Sequence, residues 1–267
     1  MEKAKELKFF KNRYLIHELV RKSVKTQYRS SWLGMIWTIL NPLLNMLVMW
    51  AVFTQFFGRN DPYYPVYLIT GNVLFASLRS ATDGGLGSVV ANRGLLTRMK
   101  IEPHLFPLAS VLSSLVNFFF SLIAVFAIMI IVMITKDVQL FNVRMLCVLL
   151  MLPAFVLFEY GIALFLSAIY VYARDIKYLY SVFLALWMYM TPIFYKFDTL
   201  QAGSFSASVV KMNPMYYFVR FFRDAMYMGW SEYPVQDCAF LYLLGFISLA
   251  IGIVTFNLLK KNFMRNI

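Results

Sequence analysis

Residues Pro103 to Thr135, PHLFPLASVLSSLVNFFFSLIAVFAIMIIVMIT, run for 33 positions with one histidine and no Lys, Arg, Asp or Glu. A helix rises about 1.5 Å per residue, so roughly 20 apolar residues cross a hydrocarbon core about 30 Å thick. The stretch is apolar on every helical face and does not alternate with a period of two, so it reads as a membrane-spanning helix and not as a barrel strand. The whole chain agrees with it. Its 267 residues are 61% hydrophobic, 18% aromatic and 14% charged, with a mean hydropathy of +0.66. Soluble domains run near 45–50% apolar and about 25% charged. An ordinary cytosolic enzyme, a disordered tail and a nucleic-acid module are thereby excluded.

Working outward from that run, charges mark the limits of five further spans. Ser30 to Gly58 holds 29 uncharged residues, and 17 more lie between Asp61 and Arg79, a segment that continues with polar character to Val90. Met145 to Ala173 is interrupted by Glu159 alone, Tyr178 to Tyr195 is 18 residues long and Cys238 to Leu259 is 22. The reading is an all-α integral membrane protein with spans near 32–57, 64–89, 105–135, 145–172, 178–195 and 238–259. With both termini cytoplasmic, seventeen Lys/Arg fall inside and seven outside, in keeping with the positive-inside rule. The net charge of +12 is then an attraction to anionic lipid head groups rather than to nucleic acid.

Three segments do not span. Residues 7–29 place Ile16, Val20, Val24 and Tyr28 at steps of four beside Leu15 and Leu19, with Lys11, Arg21, Lys22, Lys25 and Arg29 elsewhere on the wheel. This is a basic amphipathic helix, suited to lying in the cytoplasmic interface or packing on a partner protein. The first 32 residues contain no continuous apolar stretch of the signal-peptide kind. The loop 91–102 is short and basic, and Leu95 and Leu96 within it read as exposed leucines that dock into another protein. The external stretch 196–237 is too long for a turn. Asn213-Pro214 starts a helix there, with Tyr217, Phe218, Phe221, Phe222 and Ala225 on one side and the Arg220/Asp224 pair on the other.

No catalytic constellation is present. His17 and His104 lack a partner nucleophile or metal-ligand spacing, and no glycine is followed by lysine, so a Walker A loop is absent. Cys147 and Cys238 read as small apolar residues. Ionisable residues inside spans are costly in hydrocarbon and usually face a pathway or a partner. Arg79 and Asp83 are four apart and share a face, so they can pair, and Glu159 lies mid-span as either a helix–helix contact or a substrate contact. Trp37, Trp50 and Phe53 line the first span, and Trp187, Tyr189, Phe194 and Tyr195 the fifth. Such rings can shield a passing polar chain from lipid.

The order of short motifs is itself distinctive. Tyr28-Arg29-x-x-x-Leu33-Gly34-x-x-Trp37 precedes Asn41-Pro42; then come Tyr64-Pro65-Val66-Tyr67-Leu68, Asn92-Arg93-x-Leu95-Leu96, Phe106-Pro107, Ala173-Arg174-Asp175-Ile176, Thr191-Pro192-Ile193-Phe194-Tyr195 and Asn213-Pro214-Met215. In this the chain resembles the membrane subunit of ABC-2 type polysaccharide exporters, which carry O-antigen, capsule, teichoic acid or rhamnan-type chains. The resemblance implies a homodimeric permease in the bacterial plasma (inner) membrane, served by two copies of a separate ATPase that binds ATP and Mg, with no cofactor held by this chain. It implies a coupling helix over Asn92 to Met99, including Arg93, Leu95, Leu96 and Arg98, with the Arg174-Asp175 turn at the same side. The 196–237 segment matches short external gate helices between spans 5 and 6, among whose residues are Tyr217, Arg220, Phe221 and Asp224. The channel would be lined by Trp37, Phe53, Trp187, Tyr189, Phe194 and Tyr195. The substrate would be a glycan on a polyprenyl pyrophosphate, with residues 1–29 the interface helix, 30–260 the transmembrane domain and 261–267 the tail. Other functions compatible with the residues are export of drugs or small lipids, a membrane-embedded acyl- or glycosyltransferase, and a non-transporting scaffold.

Overall fold

A computed structural model of the chain describes residues 13–25, 34, 36–57, 61, 63–99, 101–199, 201, 203–228 and 234–263. Among these there is no strand. A helix over 13–25 (α1) precedes α2 (Ile36–Phe57), α3 (Tyr64–Ala91), α4 (Arg93–Arg98), α5 (Leu105–Lys136), α6 (Val148–Tyr172), α7 (Ile176–Met190), α8 (Phe205–Met212), α9 (Pro214–Arg223) and α10 (Pro234–Leu259). Residues 1–12 and 26–29 of the expected interface helix and 264–267 of the tail lie outside the described residues.

Three helical segments are long and apolar enough to cross a membrane: Leu105–Lys136, Val143–Tyr172 and Val235–Leu259. The second of these is not one uniform helix, since a 3-10 turn at Val143–Cys147 leads into α6. The fifth expected span, 178–195, is shorter in the structure. Helix α7 has 15 residues and stops at Met190. Pro192 lacks the N–H to continue it, and Thr191 before the proline takes an extended conformation (φ −91°, ψ 131°).

The tightest packing joins α6 and α10, which run parallel. Tyr242 donates to the carbonyl of Leu150 (3.1 Å), and Ser248 donates to that of Phe158 (2.8 Å). Gly245 lies on the Ala154 carbonyl, and Gly161 abuts both Ser248 and Gly252 so closely that a Cβ on either glycine would enter the other helix's backbone. In lipid, apolar side chains gain little by leaving a hydrocarbon solvent, so helix association rests on close van der Waals approach and polar contacts, which small residues permit. Around this pair, α3 packs on α5, α6, α2 and α9 and is the most enclosed helix, with Val66, Ile69, Leu74, Leu78 and Val89 buried. A second apolar cluster at the other end gathers Val89, Leu96, Phe106, Leu164, Phe256 and Phe263. Leu19 of α1 packs against that cluster, so α1 turns an apolar side to the body.

Two outcomes check this packing. Gly161→Leu should force α6 from α10 and lower the thermal stability of the purified chain by an amount of the order of 1–3 kcal/mol or more, the usual cost of overpacking. Continuing the α6/α10 register outward brings Cys238 beside Cys147, both free and half-buried. A short, membrane-permeant thiol cross-linker should therefore join them within one chain, seen as a linked peptide pair by mass spectrometry, and Gly161→Leu should reduce the yield.

Candidate functional site

The break after α7 frees backbone carbonyls that a continuous helix would have satisfied. At the edge of a bilayer an unpaired buried carbonyl is expensive. Three side chains solve this. Tyr64 donates to the carbonyl of Phe194 (2.9 Å), and Tyr67 to those of Pro192 (2.8 Å) and Tyr195. Arg223, reaching in from the last turn of α9, donates through Nη1 to Pro192 (2.7 Å) and through Nη2 to Tyr67 (2.9 Å) and Ile193 (3.5 Å). Its guanidinium carbon sits 3.4 Å from the Tyr67 ring centroid. Gly71 leaves the room: a Cβ there would lie 2.6 Å from Arg223 Nη2. Arg223 is 4% exposed, and its Nε–H has no acceptor among the described residues.

A second polar joint fixes α7 to α9. The Trp187 indole donates to Asn213 Oδ1 (2.7 Å), which also caps the start of α9 by accepting from the Met215 N–H (2.9 Å), while Asn213 Nδ2 donates to Thr191 (2.9 Å). Asn213-Pro214 thus begins a helix as expected, and its asparagine also anchors the neighbouring one. Among the residues expected to line a path, Trp187 is turned inward, between Phe75, Phe158 and Phe183. Tyr189 is 65% exposed, whereas Trp37, Phe194 and Tyr195 are half-buried. Phe53 lies in α2, but its side chain is outside the described residues. In α9 Phe221 is buried and Tyr217 half-buried, so this helix lays its aromatic side on the body. Arg220 and Asp224 pair at 3.6 Å as their spacing suggests. Burial pushes the Asp224 carboxyl up to about 6, with Asp237 adding to the rise, against the opposing pull of Arg220 and Arg223.

Deeper in the molecule Glu159 is fully buried among α3, α5 and α6. Its Oε1 accepts from Ser77 (3.0 Å), and Ser114 donates to the Ser77 carbonyl (2.8 Å). It thus touches α3 through Ser77, and its Oε2 has no hydrogen-bond partner among the described residues. Arg79 and Asp83 do not form the pair their spacing allows. Both are exposed, and no ion pair joins them among the described residues. They lie instead in a stripe of small and polar residues, Ala76, Arg79, Ser80, Asp83, Gly84 and Ala91, that runs along the one open side of α3.

At the C-terminal end of α3, Asn92 Nδ2 donates to the carbonyl of Ser88 (2.8 Å), and the Asn92 carbonyl accepts from the N–H groups of Leu95 (3.0 Å) and Leu96 (3.2 Å), turning the chain into α4. Leu96 is buried, and Leu95 leans on the same cluster. The expectation of two exposed leucines is therefore corrected: α4 is amphipathic, its leucines anchor it to the body, and Arg93, Thr97 and Arg98 face outward. Arg174 and Asp175 are also exposed, with the Arg174 guanidinium 5.1 Å from the Tyr170 ring centroid.

Arg223→Met should destabilise the purified chain strongly, since each hydrogen bond to a charged group contributes about 1.5–3 kcal/mol, while Tyr67→Phe should cost less; thermal unfolding followed by intrinsic fluorescence separates them. Asp224 gives a pH test. Its raised folded pKa means the neutral carboxyl is favoured in the fold, so that contribution is present below about pH 4 and is lost as pH rises through 6. Relative to Asp224→Asn, the native chain should lose melting temperature between pH 4 and 7.

The sequence is similar to known transport proteins over nearly its full length. The family model described as ABC-2 type transporter matches residues 14–227. The O-antigen export system permease protein RfbA of Myxococcus xanthus is 29% identical over 248 residues, covering 91% of this chain and 90% of that protein. RfbA of Klebsiella pneumoniae is 25% identical over 250 residues, 93% of each chain. The polysialic acid transport protein KpsM of Escherichia coli is 27% identical over 90 residues, 33% of this chain and 35% of its own. With the model covering most of the chain and the multi-pass helical body in place, this chain belongs to the ABC-2 type transporter family.

Proposed function

We propose that the chain is the permease subunit of an ATP-driven exporter of a cell-envelope polysaccharide, O-antigen-like or capsule-like, delivered as a lipid-linked chain. The observation that carries this reading is the open side of α3. A charged residue at mid-bilayer costs about 2.5–3.5 kcal/mol even on insertion scales, so Arg79 and Asp83 do not face lipid at rest. They face water or a second copy of the chain. The stripe leads into a cavity of about 570 Å³ at the cytoplasmic end, lined by Gly84, Gly87, Ala91, Ser110, Leu19 and Lys22. Small and polar residues from mid-span to that cavity suit a hydrated chain led by an anionic head group, which Lys22 of the basic α1 attracts.

In this reading two copies enclose the path, with the exposed face of α7 (Tyr178, Val182, Leu186, Tyr189) toward the partner or the path, and α2 through α10 supply six crossings with both termini cytoplasmic in the inner membrane. A separate ATPase holds ATP and Mg and seats on the outward arginines of α4 and the Arg174-Asp175 turn. Helices α8 and α9 form the external gate. A hydrophobic small molecule or lipid is the second reading, favoured by an apolar cavity of about 640 Å³ among Phe158, Phe165, Phe183, Leu244 and Ile251. ATPase stimulation of the reconstituted complex by lipid-linked oligosaccharide supports the first; stimulation by phospholipid or apolar drugs without it selects the second.

Cysteines placed at Ala76, Ser80 and Gly87 in the assembled transporter should react with a water-soluble maleimide, whereas one at Leu74 should not; equal protection of all four overturns the path assignment. Reversing Arg93 and Arg98 to Glu should abolish export and co-purification of the ATPase with no change in melting temperature. Leu96→Asp should instead lower the melting temperature.

A further inference from the structure

Between the start of α5, the middle of α6 and the end of α10 lies a cavity of about 600 Å³, within the roughly 300–1,000 Å³ of ligand sites. It shares no lining residue with the cavity beside the open side of α3. Its depth follows from charge. Lys260 and Lys261 are the first charged residues after the uncharged run Cys238–Leu259, so Lys260, which lines the cavity, stands where α10 leaves hydrocarbon. Both polar lips are held in place. On the α10 side the Leu259 carbonyl accepts from the Tyr172 hydroxyl (2.6 Å), and the buried Phe263 packs edge to face on Phe256, so the turn carrying Lys260 is pinned before and after it. On the α5 side the Tyr160 hydroxyl donates to the His104 carbonyl (3.3 Å), and the Glu102 carbonyl accepts from the Leu105 N–H (3.1 Å).

The walls divide by polarity. Glu102, His104, Asn257 and Lys260 line one part, and Leu164, Ile253 and Phe256 another. Lys260 makes no ion pair among the described residues, and the Glu102 carboxylate lies 3.5 Å from His104 Nδ1. A carboxylate accepts several donors at once, so the imidazole leaves it room for an ammonium. Beyond the cavity an apolar strip continues along α6: Tyr160, Leu157, Val156 and Pro153 are half-buried or exposed, whereas Ala154, Phe155, Phe158 and Glu159 between them are buried. Polar groups at head-group depth, continued by an apolar groove, have the shape of a phospholipid. The charges name its head group. A phosphate needs donors, which Lys260 and Asn257 supply, and a primary ammonium needs an acceptor, which Glu102 supplies. An anionic head group without an amine would meet the Glu102 carboxylate with nothing to give it. The structure assigns this cavity as a site for one phospholipid with a primary-amine head group, its phosphate at Lys260 and Asn257, its ammonium at Glu102 and an acyl chain along Leu157 and Pro153. Such a lipid joins the segment that follows α4 to the end of α10. The site requires only that the chain be embedded in a bilayer, and so stands apart from what the transporter carries.

The test incubates the full chain with its ATPase, purified in detergent, with equal amounts of phosphatidylethanolamine, phosphatidylcholine and phosphatidylglycerol of the same acyl chains, and reads retained lipid by native mass spectrometry. One phosphatidylethanolamine per chain should be retained at least five-fold over the other two. Glu102→Gln should bring it down to the level of phosphatidylcholine, whose quaternary ammonium has no N–H to donate. Lys260→Ala should lower retention of all three, and Lys136→Ala, at the opposite end of α5, should change nothing. Should Glu102→Gln fail to assemble, the native chain is titrated with mono- and dimethylated phosphatidylethanolamine, and retention should fall with each N–H lost. Equal retention of the three lipids, a preference for phosphatidylglycerol, or a preference indifferent both to Glu102→Gln and to N-methylation each overturn the site. Full displacement by soluble glycerophosphoethanolamine at the lipid's own concentration also overturns it, since the groove along α6 would then contribute nothing.

Discussion

Hydrocarbon offers no hydrogen bonds, and the contacts around the end of α7 answer to that fact. A helix that ends within the membrane boundary must have its freed carbonyls met by side chains. Here α7 ends at a proline, and the carbonyls of Pro192, Ile193, Phe194 and Tyr195 are taken up by Tyr64, Tyr67 and Arg223. Because these three come from α3 and α9, the same bonds that satisfy the backbone tie three parts of the chain together. The guanidinium has five donors in a fixed fork and stays ionised, which lets one buried residue serve several carbonyls and stack on Tyr67 as well.

Away from that end, α3 reconciles two demands. Most of its circumference is enclosed by α5, α6, α2 and α9, held by the close packing of small residues and by the Glu159–Ser77 contact. The remaining side carries Arg79, Ser80 and Asp83 in the open. A helix enclosed on three sides keeps its position while its fourth side meets changing surroundings. The parallel α6–α10 pair, locked glycine to glycine, forms the tightest helix–helix contact of the body.

Much of the helical body was legible beforehand because hydrocarbon thickness is a length constraint, and length and charge are read directly from residues. The Pro103–Thr135 run became α5 with hardly a change of limits. The Asn213-Pro214 signal was also local enough to read, and it began α9. The sides of the helices were another matter. Trp187 and Phe221 looked like candidates for a path and a gate, and both are turned inward. Leu96 looked like a docking residue and is an anchor. In a soluble protein polar faces reveal which side is buried; in a span, lipid-facing and core-facing positions are equally apolar, so periodicity carries little direction. Arg223 drew no notice among the outward charges, although its aromatic surroundings in α9 and the Tyr64/Tyr67 pair before Gly71 were visible signals for a buried cation.

By itself, then, the sequence determined that the chain is helical and membrane-embedded, roughly where its long apolar helices lie, and which motifs align it with a transport family. These follow from bilayer thickness, backbone chemistry and the conformational limits of proline. Tertiary structure alone decided which carbonyls Arg223 satisfies, that Arg79 and Asp83 lie on an open stripe without pairing with each other, and that α4 shows arginines rather than leucines. Each of these depends on how one helix is rotated against another, and that rotation is set by contacts between residues far apart in the chain.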